Sequence, residues 1–170
     1  MRALSCSLLL AATVALVGCS TPPTPSPSAT GAWPTQRSAA PTLSDEQAHG
    51  IAIHALGLVG TPYRYGGNTP DGGFDCSGLV NYVFRDMLDL GLPRTSRALA
   101  EYQGGRIDPD RLAAADLVFF GSRGNVTHVG IYVGQGRFVH APSSGGTVRL
   151  DHLDGPYWRD NYSGARRVLR

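Results

Sequence analysis

Among residues able to act as nucleophile, base or metal ligand, Cys76 and five histidines carry the most chemistry. Cys76 lies in Asp75-Cys76-Ser77-Gly78, where a glycine-rich stretch gives way to Leu79, Val80, Val83, Phe84, Met87 and Leu88 at helical spacing. Asp75 or Ser77 can satisfy the free N–H groups that open such a helix. A cysteine in the first turn feels the positive end of the helix dipole, which favours the nucleophilic thiolate. The position suits equally a small buried cysteine that packs the helix against its neighbours. A cysteine nucleophile needs a base, and histidine is the usual one near neutral pH. His49 and His54 fall on a first helix and His152 in a loop, where solvated or packed histidines are expected. His128 and His140 fall in two strands separated by Gly134-Gln135-Gly136. Each alone suits a structural histidine; with Cys76 they form a candidate Cys-His-His set. The same three residues could ligate zinc, although no fourth ligand or Cys-x-x-Cys spacing accompanies them.

These side chains need elements to hold them. Ser44-Asp45-Glu46-Gln47 reads as a capping box that starts a helix running to about Leu58, stopped by Gly60-Thr61-Pro62. Residues 60–75, dense in Gly, Pro, Asn and Asp, read as an irregular loop. The spacing then predicts a buried helix from Cys76 to about Leu90, ended by Gly91, and a shorter one over Ser96–Gln103 capped by Thr95. Strand-like runs follow at residues 117–120, 128–133, 137–141, 147–150 and 166–169. Helices first and an antiparallel sheet later make an α+β domain.

Strand parity tests the histidine pair without further assumptions. Side chains alternate faces along a strand. His128 and His140 therefore share a face only if opposed residues of the hairpin have an even sum of numbers. A three-residue loop over Gly134-Gln135-Gly136, with Val133 opposite Arg137, meets that condition and puts His140 opposite Gly130. A two-residue loop would place His140 on the other face unless a bulge restored the phase. The odd loop is expected, with His140 hydrogen-bonded to one ring nitrogen of His128 and the other nitrogen turned toward Cys76.

Hydrophobic residues make up 42% of the 170 residues and charged residues 16%, enough for one packed core and too apolar for a disordered chain. The net charge is +2, and the basic residues, all Arg, are scattered. A nucleic-acid partner, which calls for a basic stripe or patch, is not expected. Arg2 precedes an apolar run from Leu8 to Val17, about half the length of a membrane span. That run reads as a secretory signal over residues 1–18. It ends in Leu16-Val17-Gly18-Cys19, which resembles a lipobox with Cys19 as the acylated N-terminus. Ser20 after that cysteine leans toward outer-membrane retention. Residues 20–42 hold six of the twelve prolines, so 19–43 reads as an extended linker and 44–170 as the folded domain. With Cys6 removed and Cys19 lipidated, Cys76 is left as an unpaired thiol in an oxidising compartment.

Several stretches together resemble the NlpC/P60 family of cell-wall cysteine peptidases. They are Gly60-Thr61-Pro62-Tyr63-Arg64-Tyr65-Gly66-Gly67, Asp75-Cys76-Ser77-Gly78, Leu92-Pro93-Arg94, His128-Val129-Gly130-Ile131-Tyr132-Val133-Gly134 and Phe138-Val139-His140-Ala141. Pro156-Tyr157-Trp158 and Gly164-Ala165-Arg166-Arg167 are similar to its lipoprotein subgroup. The resemblance implies a papain-like domain with the nucleophile helix on a five- or six-stranded sheet. It implies Cys76 as nucleophile, His128 as base and His140 as the residue orienting it. Tyr63 matches the tyrosine near the oxyanion, beside the Cys76 N–H, and Asp75 and Ser77 match positions lining the substrate groove. Ala115 departs from the family's usual glycine before Asp116-Leu117, a substitution costing on the order of 1 kcal/mol if the backbone there is left-handed. The expected activity is hydrolysis of amide bonds in the stem or cross-link peptides of peptidoglycan, without metal or organic cofactor. An amidase at the sugar–peptide junction, an acyltransferase, or a non-catalytic wall-binding lipoprotein are the alternatives on this fold. The expected location is a lipid-anchored state in the outer membrane facing the periplasm. Targeting then falls to the tether or to an unidentified partner such as an adaptor or regulatory protease.

Overall fold

The computed structural model describes residues 43–144 and 146–169; the apolar run read as a signal, Cys19 and the proline-rich stretch to residue 42 lie outside the described residues. The first helix, α1 (Asp45–Gly57), starts at the expected capping box. Ser44 Oγ accepts from the Gln47 N–H at 3.1 Å, and Gln47 Oε1 accepts from the Ser44 N–H at 3.0 Å. The following glycine-rich stretch is more ordered than expected. It folds into a short antiparallel ribbon of β1 (Asn68–Thr69) and β2 (Gly73–Phe74) that leads into α2 (Cys76–Leu88). That helix ends before Gly91, because Asp89 takes up the left-handed C-cap conformation at φ 51°. Short polar side chains tolerate that conformation better than most. The third helix, α3 (Ser96–Glu101), is capped as expected by Thr95, whose Oγ1 accepts from the Ala98 N–H.

The rest is a six-stranded sheet in which every neighbouring pair is antiparallel. In chain order its strands are β3 (Gly105–Ile107), β4 (Leu117–Ser122), β5 (Asn125–Gly134), β6 (Arg137–His140), β7 (Arg149–His152) and β8 (Tyr162–Arg167). A short helix, α4 (Pro156–Asp160), links the last two, and the sheet order is β3-β8-β4-β5-β6-β7. Neither β3 nor α4 stands out in the sequence, since each is five residues or fewer. His152, expected in a loop, is the exposed last residue of β7. Alternation along the strands separates two cores. Leu117, Phe119, Val129, Ile131 and Val139 pack with α1, α2 and α3 residues such as Ile51, Leu79, Val83 and Leu99. Val118, Phe120, Tyr132 and Phe138 face the other way, where Trp158 of α4 and Tyr162 pack over them.

The β5–β6 hairpin differs from the expected three-residue loop. Gly134 pairs with Arg137, so the turn is two residues long, with Gln135 and Gly136 both at positive φ (54° and 69°). Positive φ at both positions is the geometry that matches the twist of the flanking strands. A bulge at Val133 then shifts the register, giving Tyr132↔Phe138 and Ile131↔Val139. The bulge restores the phase, and the ladder runs on toward Gly130 and His140. Ala115 does adopt the left-handed conformation, at φ 70°.

Candidate active site

The start of α2 is held by a polar cluster that the sequence only hinted at. Asp75 is the N-cap, its Oδ1 accepting from the Gly78 N–H at 2.7 Å, while its Oδ2 accepts from the Gly66 N–H at 2.9 Å. Arg94 grips the same carboxylate with its two terminal guanidinium nitrogens, at 2.7 and 3.1 Å, and donates to the Gly67 carbonyl at 2.9 Å. Ser77 Oγ accepts from Arg94 and donates to the Arg94 carbonyl at 2.8 Å. Burial pushes the Asp75 carboxyl up, but Arg94, the Gly78 N–H and Ser77 outweigh it and hold the carboxyl below its ordinary range. Asp75, Ser77 and Tyr63 line one depression with Cys76, Arg94 and Thr127. Ser77 is only 4% exposed, and both Asp75 oxygens are taken by protein donors. The first duty of both is thus to fix where Cys76 begins its helix. Gly78 allows the close approach, since a Cβ there would lie 2.0 Å from the Gly67 oxygen.

The two imidazoles meet as parity requires. His128 Nε2 and His140 Nδ1 are 2.9 Å apart, with the rings nearly perpendicular at 85°. Gly130 makes room: a Cβ there would approach the Phe138 ring to 2.6 Å and His140 Cβ to 3.3 Å. The other nitrogen of His140, Nε2, lies 3.1 Å from Asp151 Oδ2. Asp151 is a residue that sequence reasoning missed. The same oxygen accepts from Trp158 Nε1 at 2.8 Å and from Arg149 Nε and Nη2 at 3.1 and 2.8 Å. Trp158 also stacks on His128, centroids 5.5 Å apart at 27°, and meets His140 edge-on at 4.7 Å.

Cys76 packs with the helix-side core, whereas both imidazoles touch the aromatic cluster on the other face of the sheet. The join is at Val129, next to His128, whose N–H is placed to hydrogen-bond the Cys76 sulfur. Burial and then the Asp75 charge push the Cys76 thiol up, outweighing the N–H groups of Val129, Ser77 and Cys76 that would hold a thiolate. The thiolate expected from the helix start is thus not favoured, because desolvation outweighs the N–H groups there. Burial, then His140 and Arg149, take His128 down to about 3. Burial takes His140 to about 4, against the opposing pull of Asp151. At rest, then, the Cys76 thiol and the His128 imidazole are both held toward their neutral forms. Tyr63 sits close enough to Cys76 that burial and then a thiolate there raise its hydroxyl pKa. A second depression, lined by His128, Ser143, Ser144, Arg149, Tyr157 and Trp158, shares Thr127 with the first.

The remaining histidines stay apart from this group. His49 is exposed; His54 stacks on Tyr82 at 5.7 Å and lies 3.3 Å from Asp86. The facing nitrogens of His128 and His140 are committed to one another, and no three His, Cys, Asp or Glu side chains among the described residues are disposed to hold a metal ion.

Known proteins resemble this chain in sequence and fold. The profile of the NlpC/P60 family matches residues 60–167. The chain is 41% identical over 165 residues to NlpC of Escherichia coli K12, named a probable endopeptidase, covering 95% of this chain and 97% of that protein. It is 38% identical over 144 residues to the murein DD-endopeptidase MepH of the same organism, covering 79% of this chain and 53% of MepH. The chain thus spans about half the length of relatives such as MepH. The crystal structure of an NlpC/P60 family protein from Bacillus cereus ATCC 10987 superposes with a TM-score of 0.67 at 29% identity, over 76% of this chain and 42% of that one. The profile takes in Tyr63, Cys76, both paired histidines and Asp151 and spans more than half of the sequence, and on that ground the chain belongs to the NlpC/P60 family, of papain-like fold.

Proposed function

We propose that this protein is a peptidoglycan hydrolase, a cysteine endopeptidase that cuts amide bonds in murein stem or cross-link peptides. The observation that carries the reading is the ordered pair His128–His140 beside a cysteine at a helix start, in a chain whose relatives include a named murein DD-endopeptidase. His128 commits Nε2 to His140, which leaves Nδ1 to take the Cys76 proton as the sulfur attacks the substrate carbonyl carbon. The oxyanion is received by the Cys76 N–H and the Tyr63 hydroxyl. Collapse breaks the C–N bond, the amine leaves with the proton from His128, and a thioester remains. Water, deprotonated by His128, attacks the thioester and releases the acid and the free thiol. Asp75 and Ser77 serve by holding the groove wall against Arg94.

Mass spectrometry of muropeptides digested with residues 44–170 tests this. Cleavage within the stem or cross-link peptide is expected, and Cys76→Ala should lower it by at least about 1,000-fold with little change in melting temperature. Products split at the sugar–peptide junction would replace the endopeptidase reading with an amidase.

The anchor belongs to the same proposal. The apolar run, Leu16-Val17-Gly18-Cys19 and the proline-rich stretch after it support lipid attachment at Cys19 and retention in the outer membrane, facing the periplasm. Cys19→Ser should abolish incorporation of labelled palmitate and remove the protein from the membrane fraction. Unchanged labelling would end the anchor reading.

A further inference from the structure

We propose that Asp151 is a positioning residue for the reaction: by accepting a hydrogen bond from His140 Nε2 it fixes the protons along the histidine pair so that His128 Nδ1 is the free base. The inference rests on the assignment of Cys76 and His128 above. Its argument is one of donors and acceptors. Arg149 Nε and Nη2 and Trp158 Nε1 can only donate, and all three converge on Asp151 Oδ2. That oxygen is therefore an acceptor toward His140 Nε2 as well, so the proton of that 3.1 Å contact sits on His140. A neutral imidazole carries one N–H. His140 Nδ1 then has the lone pair, and across the 2.9 Å contact His128 Nε2 must be the donor. The single lone pair of His128 is left on Nδ1. The reverse arrangement would set a lone pair of His140, which is 0% exposed, against a carboxylate oxygen.

The surroundings keep this chain of donors in one orientation. Trp158 holds Asp151 through its indole N–H and lies against both imidazole rings, so one side chain fixes the acceptor and limits ring rotation. Asp151 itself lies opposite Phe138 in the β6–β7 ladder, with His140 opposite Arg149, so the strand register brings acceptor and histidine to one face. When His128 takes the Cys76 proton, the carboxylate at the far end of the pair stabilises the positive charge that develops. That stabilisation acts on the transition state and leaves ground-state binding alone.

The test combines kinetics with a readout that needs no substrate. In the full chain, Asp151→Asn keeps an oxygen for the three donors but loses the charge; kcat should fall about 10-fold, and Asp151→Ala about 100-fold, with KM within about twofold of wild type. In a His140→Asn background the amide carries its own fixed acceptor, so adding Asp151→Ala should cost less than about threefold. Losses that simply multiply would make Asp151 a structural prop and overturn the proposal. Long-range ¹H–¹⁵N spectra of the histidine-labelled full chain should show both His128 and His140 protonated on Nε2 and bare on Nδ1, with His140 becoming a tautomer mixture in Asp151→Ala. An Nδ1–H on either histidine of the wild type would refute the proposal whatever the substrate is. Failure to cleave murein with the expected tautomers in place would count against the functional reading instead.

Discussion

In the proposed reaction His128 and Cys76 enter uncharged, and that sets how activity should follow pH. A base works when unprotonated, so a His128 pKa lowered to about 3 carries the acid limb of kcat/KM far below the ordinary imidazole range. A raised thiol pKa carries the alkaline limb upward in the same way. We expect kcat/KM to stay level across pH 5.5–8, within about twofold, when initial rates are followed on a defined cross-linked muropeptide. A limb centred near 6.5 would show that His128 titrates as a solvated imidazole. Much of this site was legible from residue types and spacing: a cysteine at a helix start, and two histidines whose parity allowed them one face. Asp151 was not legible. It lies eleven residues beyond His140, and only the β6–β7 register, set by pairing at a distance, brings it within reach. Arg94 was visible as part of a motif, but nothing local announced that it would clamp Asp75 nineteen residues away.

Among the elements, the turn into β4 carries strain that one substitution can relieve. Ala115 sits at φ 70° with its N–H donating to the Tyr132 carbonyl, just before the ion pair of buried Asp116 with half-buried Arg167. A residue with a Cβ resists that conformation by about 1–2 kcal/mol, partly offset in glycine by the entropy lost on folding and here by loss of a buried methyl. Ala115→Gly should raise stability by about 0.5–1 kcal/mol, or roughly 2–5 °C in Tm, with activity unchanged. A lower Tm in calorimetry would mean that the methyl packing outweighs the backbone strain. Helices and strands with strong periodicity or a capping signal were read from sequence to within a few residues. The misses share a cause. The end of α2, the ribbon of β1 and β2, and the bulge at Val133 depend on single backbone conformations at Asp89, Gly73 and Gly134 that periodicity does not encode.

The molecule as a whole should weaken in acid earlier than its carboxylates alone would cause. With His128 and His140 lowered to about 3 and about 4 from 6.5, the unfolded chain binds more protons than the folded one through that interval. Stability therefore rises with pH there, by up to about 1.4 kcal/mol per unit for each histidine. Asp75 and Asp151, also held low, add stability present above their unfolded value of 3.8 and lost as pH falls through their folded values. Urea midpoints should thus drop clearly between pH 6.5 and 4.5, and His140→Gln should flatten the slope; an unchanged midpoint would place the imidazoles in solvent. The broad plan, helices first and then a sheet, was readable from the order of patterns, while the division into two cores required the register. That division has a consequence for the order of events as the chain folds. Cys76 belongs to the layer of helices and the imidazoles to the aromatic layer on the far side of the sheet. A chain with one layer docked holds either a thiol without its base or a base without its thiol. Cleavage is then the last property acquired as the chain folds, and a half-folded molecule is chemically silent.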